Sequence, residues 1–311
     1  MVDTAATLRE LGVTVLERGW LSSNNIVFRR RTGGPVTVVD TGYDSHAEQT
    51  LSLMERVSGG AGVDQVFNTH LHSDHCGGNA SIQQRWNART FVPEMSLDAV
   101  ARWDDSRLTY ERTGQTCRPF RADGGVSVGS SVQLGDESWA VLAAPGHDPE
   151  SLMFFHRASR VLISADALWE ARLAIIFPEL DGRSGFEEAI GVLDAIEALQ
   201  PSIVLPGHGR PFTNVASALA YSRARLKQFQ VAPERHWRSA ARALAMFRLL
   251  EMRSIPRADL EGWLSRAPVF LAARQGTGEE LSPRALVDSM IRDGLFGVDE
   301  NDYIIVEGTK E

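Results

Sequence analysis

Four residues able to ligate a metal crowd into His70-Leu71-His72-Ser73-Asp74-His75, directly after the short apolar run Val66-Phe67. Imidazole nitrogen and carboxylate oxygen are the donors that borderline cations such as Zn²⁺ prefer. Held together without a cation, these groups would all lose water at once, at a heavy free-energy cost. Only eight histidines occur in the chain and three of them sit here, so the cluster does not follow from a histidine-rich composition. The stretch restricts the fold. It belongs on a loop after a strand, where functional groups converge while the strand fixes their position.

The same layout recurs along the chain. Trp139-Ala140-Val141-Leu142 precedes Pro145-Gly146-His147, Val161-Leu162-Ile163 precedes Asp166, and Ile203-Val204-Leu205 runs into Pro206-Gly207-His208. Upstream, Val13–Leu16, Asn25–Phe28 and Val36–Val39 also read as strands, the last ending at Asp40-Thr41-Gly42. Ala47, Leu51, Met54 and Val57 follow helical spacing, with Ser45 as a cap and Gly59-Gly60 as the stop. After about residue 215 the pattern turns helical: 216–231, 235–253, 257–272 and 283–293 read as helices, followed by a turn over 294–297 and a strand over 303–306. The expected fold class is therefore α/β, with one domain over 1–215 and a mostly helical C-terminal domain over 216–311.

A length of 311 residues with 43% apolar content suffices for a real core, and a formal charge of −8 argues against a general nucleic-acid binder. The charge is uneven. Residues 223–257 hold 9 Lys/Arg against 2 Asp/Glu, whereas 258–311 hold 5 against 11. That basic stretch suits either RNA phosphate or, the preferred reading, a solvated helix face. Two cysteines, Cys76 and Cys117, are too few for a disulfide framework, with Cys76 expected as a small packing residue. No signal peptide or membrane-length run is visible, so a soluble cytoplasmic protein is the expectation.

Thr69-His-Leu-His-Ser-Asp-His-Cys-Gly-Gly78, then Pro-Gly-His147, Ser-Ala-Asp166 and Pro-Gly-His208-Gly, in that order, resemble the metallo-β-lactamase superfamily over roughly residues 10–215. The resemblance implies a four-layer αβ/βα sandwich and two divalent metal ions, zinc first, with iron or manganese as alternatives. It implies that His70, His72 and His147 bind one ion, that Asp74, His75 and His208 bind the other, and that Asp166 bridges them. Such a pair acidifies water for attack on an electrophilic carbonyl or phosphorus, with Asp74 orienting the nucleophile or accepting its proton. Asp40 would orient a ligand histidine. His46, His156 and His236 read as hydrogen-bonded core residues.

The branch is narrowed by departures. Secreted β-lactamases carry export signals, and one of their groups uses a cysteine ligand; here no signal appears and Asp166 holds the bridging position. Flavin-linked di-iron members have glutamate where this chain has His72. Glyoxalase II, a thioester hydrolase, is similar in the His motif and the helical C-terminal part. The chain lacks the downstream basic and tyrosine pattern associated with glutathione recognition, and lactamase-like hydrolases with a helical, winged-helix-like C-terminal segment over what is here 216–311 are more similar. The implied function is a dinuclear hydrolase acting on a small carbonyl ester such as a thioester or lactone. A nuclease or phosphodiesterase and a mononuclear iron persulfide dioxygenase are the alternatives. The segments 101–121, with Trp103, Tyr110, Arg112 and Phe120, and 168–177, with Trp169, Ile175 and Ile176, are the expected pocket walls.

Overall fold

The computed structural model describes residues 3–29, 33–268, 270–271 and 282–306. Two sheets face one another. The first runs in sequence order: β1 (Val13–Leu16), β2 (Asn25–Phe28), β3 (Thr37–Val39), β4 (Gln65–Phe67), β5 (Arg89–Pro93) and β6 (Gly124–Val126). Its β1-β2-β3 part is antiparallel, and β3 through β6 are parallel. Parallel neighbours need a crossover. Helix Ala47–Val57 supplies it between β3 and β4, and Asn79–Trp86 between β4 and β5. Ser45 does not cap the first of these; it lies in the 3-10 turn Asp44–His46 that runs straight into the helix. The second sheet comprises β7 (Ser131–Leu134), β8 (Glu137–Ala143), β9 (Leu152–His156), β10 (Val161–Ala165) and β11 (Ile203–Pro206), in the order β11-β10-β9-β8-β7.

The burial of alternate residues explains why the sheets stack. Phe28, Val39, Phe67, Trp139, Val141, Phe154, Ile163 and Leu205 form the core between them. The opposite faces are apolar too. Val27, Val38 and Val66 pack on Met54 and Ile82 of the two crossover helices. Met153, Phe155, Leu162 and Val204 pack on Leu193 and Ile196 of helix Phe186–Leu199. The result is helices, sheet, sheet, helices: the four-layer αβ/βα sandwich that the motif resemblance implies.

Strand direction then decides where function gathers. β10 and β11 are parallel, and β8 runs the same way because both β8 and β10 pair antiparallel with β9. The C-terminal ends of β8, β10 and β11 thus lie along one edge of the second sheet, and those of β3 and β4 along one edge of the first.

Helix Val215–Val231 sends Ala218, Leu219, Leu226 and Phe229 into the outer core of the second sheet. Beyond it come helix Pro233–Met252, β12 (Ser254–Pro256), helices Arg257–Arg266 and Pro283–Arg292, β13 (Phe296–Val298) and β14 (Tyr303–Val306). The last helix starts as a good cap predicts: Ser282 accepts the Ala285 N–H, and Pro283 takes the first turn. The three strands form an antiparallel sheet in the order β12-β14-β13 over a separate core of Ala245, Leu249, Leu260, Val287, Met290 and Ile304. The expected turn over 294–297 passes into β13, and part of the expected helix over 257–272 lies outside the described residues.

The basic stretch meets acid in space. Arg223 pairs with Asp194 and Glu197, Arg242 with Asp293, Arg248 with Glu251, and Arg257 with Asp288 and Asp302. No helix among the described residues is long and apolar enough to cross a membrane.

Because Phe154 is fully buried between the sheets, Phe154→Ala leaves a cavity in the central layer. The expected cost is about 3–5 kcal/mol, read as a lower midpoint in urea unfolding.

Candidate metal centre

Five strand ends deliver the polar residues. Asp40 follows β3, Thr69 and His70 follow β4, His147 follows β8, Asp166 follows β10, and His208 follows β11. His72 immediately precedes a short helical turn, Ser73–Cys76, that carries Asp74 and His75. The backbone is forced at two of these points. Asp40 and Ala165 adopt φ of +58° and +47°, a left-handed conformation that costs free energy for a residue with a side chain. Glycine answers a different demand, close approach. A Cβ on Gly207 would collide with Asp166 Oδ1 and stand 3.0 Å from His75 Cε1. One on Gly78 would stand 2.5 Å from the Thr41 carbonyl oxygen.

The seven residues His70, His72, Asp74, His75, His147, Asp166 and His208 come together in two groups. His70, His72 and His147 form one; Asp74, His75, Asp166 and His208 form the other, with ligand atoms within 4.8 Å of one another inside each group. Asp166 joins them: Oδ1 is 3.4 Å from His75 Nε2, and Oδ2 is 3.4 Å from His147 Nε2. His208 Nε2 lies 3.0 Å from Asp74 Oδ2, and His72 Nδ1 lies 2.8 Å from His147 Nε2. All but half-buried His72 are buried.

Hydrogen bonds on the far side of each ring decide which nitrogen faces inward. A carboxylate or carbonyl oxygen only accepts, so its imidazole partner must donate. His75 Nδ1–H donates to Asp40 Oδ2 at 2.8 Å, and His147 Nδ1–H donates to the Ile175 carbonyl at 2.6 Å. The Thr69 hydroxyl donates to Asp40 Oδ2 at 2.7 Å and accepts from His70 Nδ1 at 3.1 Å. Asp40 also takes the Thr69 N–H at 2.9 Å. With these protons assigned, Nε2 of His70 and of His147 carries a lone pair, and Nε2 of His75 gains one when that charged ring gives up its second proton. Nε2 of His70 and of His75 is buried without a hydrogen-bond partner. Buried polar atoms are normally satisfied, and an orphan lone pair aimed into a cluster of other donors fits a cation. The donor set suits a borderline divalent ion in each group.

Charge follows the same geometry. Burial pushes His70 well below its ordinary range, with His75, His72 and His147 adding repulsion. Burial also lowers His72 and His147 to about 4. His75 goes the other way: burial disfavours its charge, but Asp166, Asp40 and Asp74 together outweigh that and raise it. Asp166 and Asp74 feel the same burial, yet His75 and its neighbours hold both below the usual carboxylate range.

Aromatic rings rim the cluster. Trp20 stacks on His208 at 5.4 Å and 11°, while 38% of its surface stays exposed. Trp169 meets His208 edge-on at 5.1 Å and donates its indole N–H to Asp166 Oδ1 at 3.2 Å. Phe177 lies edge-on to His72 at 4.7 Å, and the Arg172 guanidinium sits 4.5 Å from the Trp20 ring centre. The segment 168–177 is thus beside the cluster, as expected. The segment 101–121 reaches the cluster's edge through Gln115, which accepts the Ser73 hydroxyl at 2.5 Å, but its expected wall residues turn away: Trp103, Tyr110 and Phe120 pack on Leu71, Cys76 and Val92 in a core of their own, and Arg112 pairs with Asp181. Their large apolar surfaces found a core to fill before they reached the site. Trp20 was missed because an isolated tryptophan in a loop carries no periodic signal. Cys76 is fully buried, 3.2 Å from Tyr110 Oη and 3.8 Å from the Cys117 sulfur.

Two stacked sheets flanked by helices, carrying paired histidine and aspartate clusters at their strand ends, define a metallohydrolase-type sandwich. Residues 18–208 match the metallo-beta-lactamase superfamily, and the chain belongs to that family. It is 24% identical over 225 residues to a probable metallo-hydrolase, YqjP, of Bacillus subtilis, covering 60% of this chain and 68% of the relative. It is 26% identical over 198 residues to a hydroxyacylglutathione hydrolase of Dechloromonas aromatica, covering 63% of this chain and 62% of that one. A solved metallo-beta-lactamase family protein from Thermus thermophilus superposes with a TM-score of 0.54 at 17% identity, over 95% of this chain and 99% of its own.

In the metal-free protein, NMR titration of the histidine rings is expected to show His72 and His147 neutral down to about pH 4. His75 is expected to keep its proton to well above 6.5. A cation entering the second group must therefore displace a proton, so uptake there weakens as pH falls.

Proposed function

We propose that the chain is a dinuclear metal-dependent hydrolase acting on a small carbonyl ester, with a thioester or lactone as the preferred substrate class. The observation that carries this is the position of Asp166, whose two oxygens reach one histidine of each group at 3.4 Å. His70, His72 and His147 would hold one cation; Asp74, His75 and His208 would hold the other; Asp166 would touch both. When bound, such a pair supplies acidified water and polarises a carbonyl oxygen. Zinc suits the nitrogen and oxygen donors, with iron or manganese as alternatives.

The chain's own residues do the rest. Asp74, held ionised by His75 and His208 despite its burial, is a proton acceptor beside the attacking water and can orient it. Asp40 and Thr69 keep the rings of His75 and His70 from turning, so the donor set is preorganised. The exposed face of Trp20 and the edge of Phe177 offer an apolar wall to an acyl or leaving group, and Arg172 offers a cation to a carboxylate. The name of the Dechloromonas relative, a hydroxyacylglutathione hydrolase, points to the same thioester chemistry. The charge pairing within the basic stretch supports this reading over the nuclease alternative. Of the basic-stretch arginines it needs, Arg223, Arg242, Arg248 and Arg257 are engaged by acids.

Asp166→Ala is expected to abolish turnover across a panel of thioesters and lactones while circular dichroism stays unchanged. Undiminished activity in that variant rules the reading out. Two cation equivalents per purified chain would support it, and a single iron with oxygen consumption would favour the dioxygenase instead. Trp20→Ala removes about 1 kcal/mol of aromatic contact. It is expected to raise KM roughly fivefold for substrates with a bulky apolar acyl group, leaving kcat in place.

A further inference from the structure

One peptide group links the helical C-terminal part to the histidine and aspartate cluster by hydrogen bonds. The Ile175–Ile176 peptide lies between two imidazoles. Its carbonyl oxygen takes the His147 Nδ1–H at 2.6 Å, and its N–H donates to His236 Nε2 at 3.0 Å. His236 belongs to helix Pro233–Met252, on the far side of the loop from the cluster. It is 1% exposed and wedged between the rings of Phe186 and Phe229, at 5.2 and 5.1 Å. Burial lowers it to about 4, so near neutral pH it presents a lone pair and not a second N–H. Next to it, Ile175 and Phe177 pack with Leu180, Ala240 and Leu244 in an apolar cluster shared by loop and helix.

We propose that His236 is a positioning residue for His147, acting through the Ile175–Ile176 peptide to orient that ring and raise its donor strength toward a cation. The inference rests on the reading of His147 as a metal ligand. Its physics is the cooperativity of linked hydrogen bonds. A peptide whose N–H is engaged carries more negative charge on its oxygen and holds the next donor more firmly. A histidine ligand gains basicity at one nitrogen when the other donates to a good acceptor. The C-terminal helix thereby stabilises the loop after Asp166 and supports the tautomer of His147 through the intervening peptide.

His236→Leu removes the acceptor while keeping an apolar filling. His236→Gln puts its side-chain oxygen near the place of Nε2, where it can take the Ile176 N–H. The readout is cation affinity by competition against a chromophoric zinc chelator, with zinc alone as the probe and no turnover measured. His236→Leu is expected to weaken one of two zinc equivalents by about tenfold, the lower end for partners of ligand histidines, with His236→Gln close to wild type. Wild-type affinity in a folded His236→Leu chain overturns the proposal, and so does a His236→Gln chain as weak as the leucine variant. Wild-type protein that takes up no zinc overturns the hydrolase reading as well, which separates the two failures. Should the leucine variant fail to fold, nitrogen NMR of the metal-free wild type decides: a proton on His147 Nδ1 and a slowly exchanging Ile176 amide are expected. A proton on Nε2 instead overturns it.

Discussion

The carboxylate of Asp40 is the contact on which the site depends. It stands at the end of β3 in a left-handed conformation, φ +58°, that a side chain resists. From there it accepts from His75 at 2.8 Å and from the Thr69 hydroxyl at 2.7 Å, and Thr69 in turn holds His70. One buried anion thus orients a histidine of each ligand group. The backbone strain at Asp40 is offset by three hydrogen bonds to its two oxygens from Thr69 and His75.

Around that hub the centre is built by balance of charge rather than by any single pair. His75 stays charged because three carboxylates face it, and Asp166 and Asp74 stay charged because His75 faces them. His72 and His147 are held neutral by burial, which for His147 outweighs the attraction of Asp166 at 3.4 Å. A divalent cation held by the second group would take over the work of the His75 proton. Buried charge without such compensation would not persist in a core this apolar.

Much of this was legible in the chain. The short runs that became β1, β2, β3, β4, β8, β10 and β11 were visible because apolar strands punctuated by glycine, proline and aspartate are a local signal. The seven clustered residues announced themselves by donor chemistry and by their recurring place after a strand. Other elements were not legible. β12 and β13 are three residues each and hold only by pairing with β14, so no periodicity marks them. The aromatic residues of 101–121 carried no sign of whether they face a site or a core, because the same apolar surface serves either.

What the sequence determined by itself was the donor inventory and the order of strands that present it, since both reside in residue type and local pattern. Tertiary structure alone decided that Asp166 reaches both groups, because its two oxygens meet His75 and His147 from different sheets. It alone brought Trp20 onto His208 and the Ile175–Ile176 peptide between His147 and His236. Those contacts join residues from 19 to 188 positions apart. They exist because two sheets stack with their functional ends on one edge, a consequence of packing that no local pattern encodes.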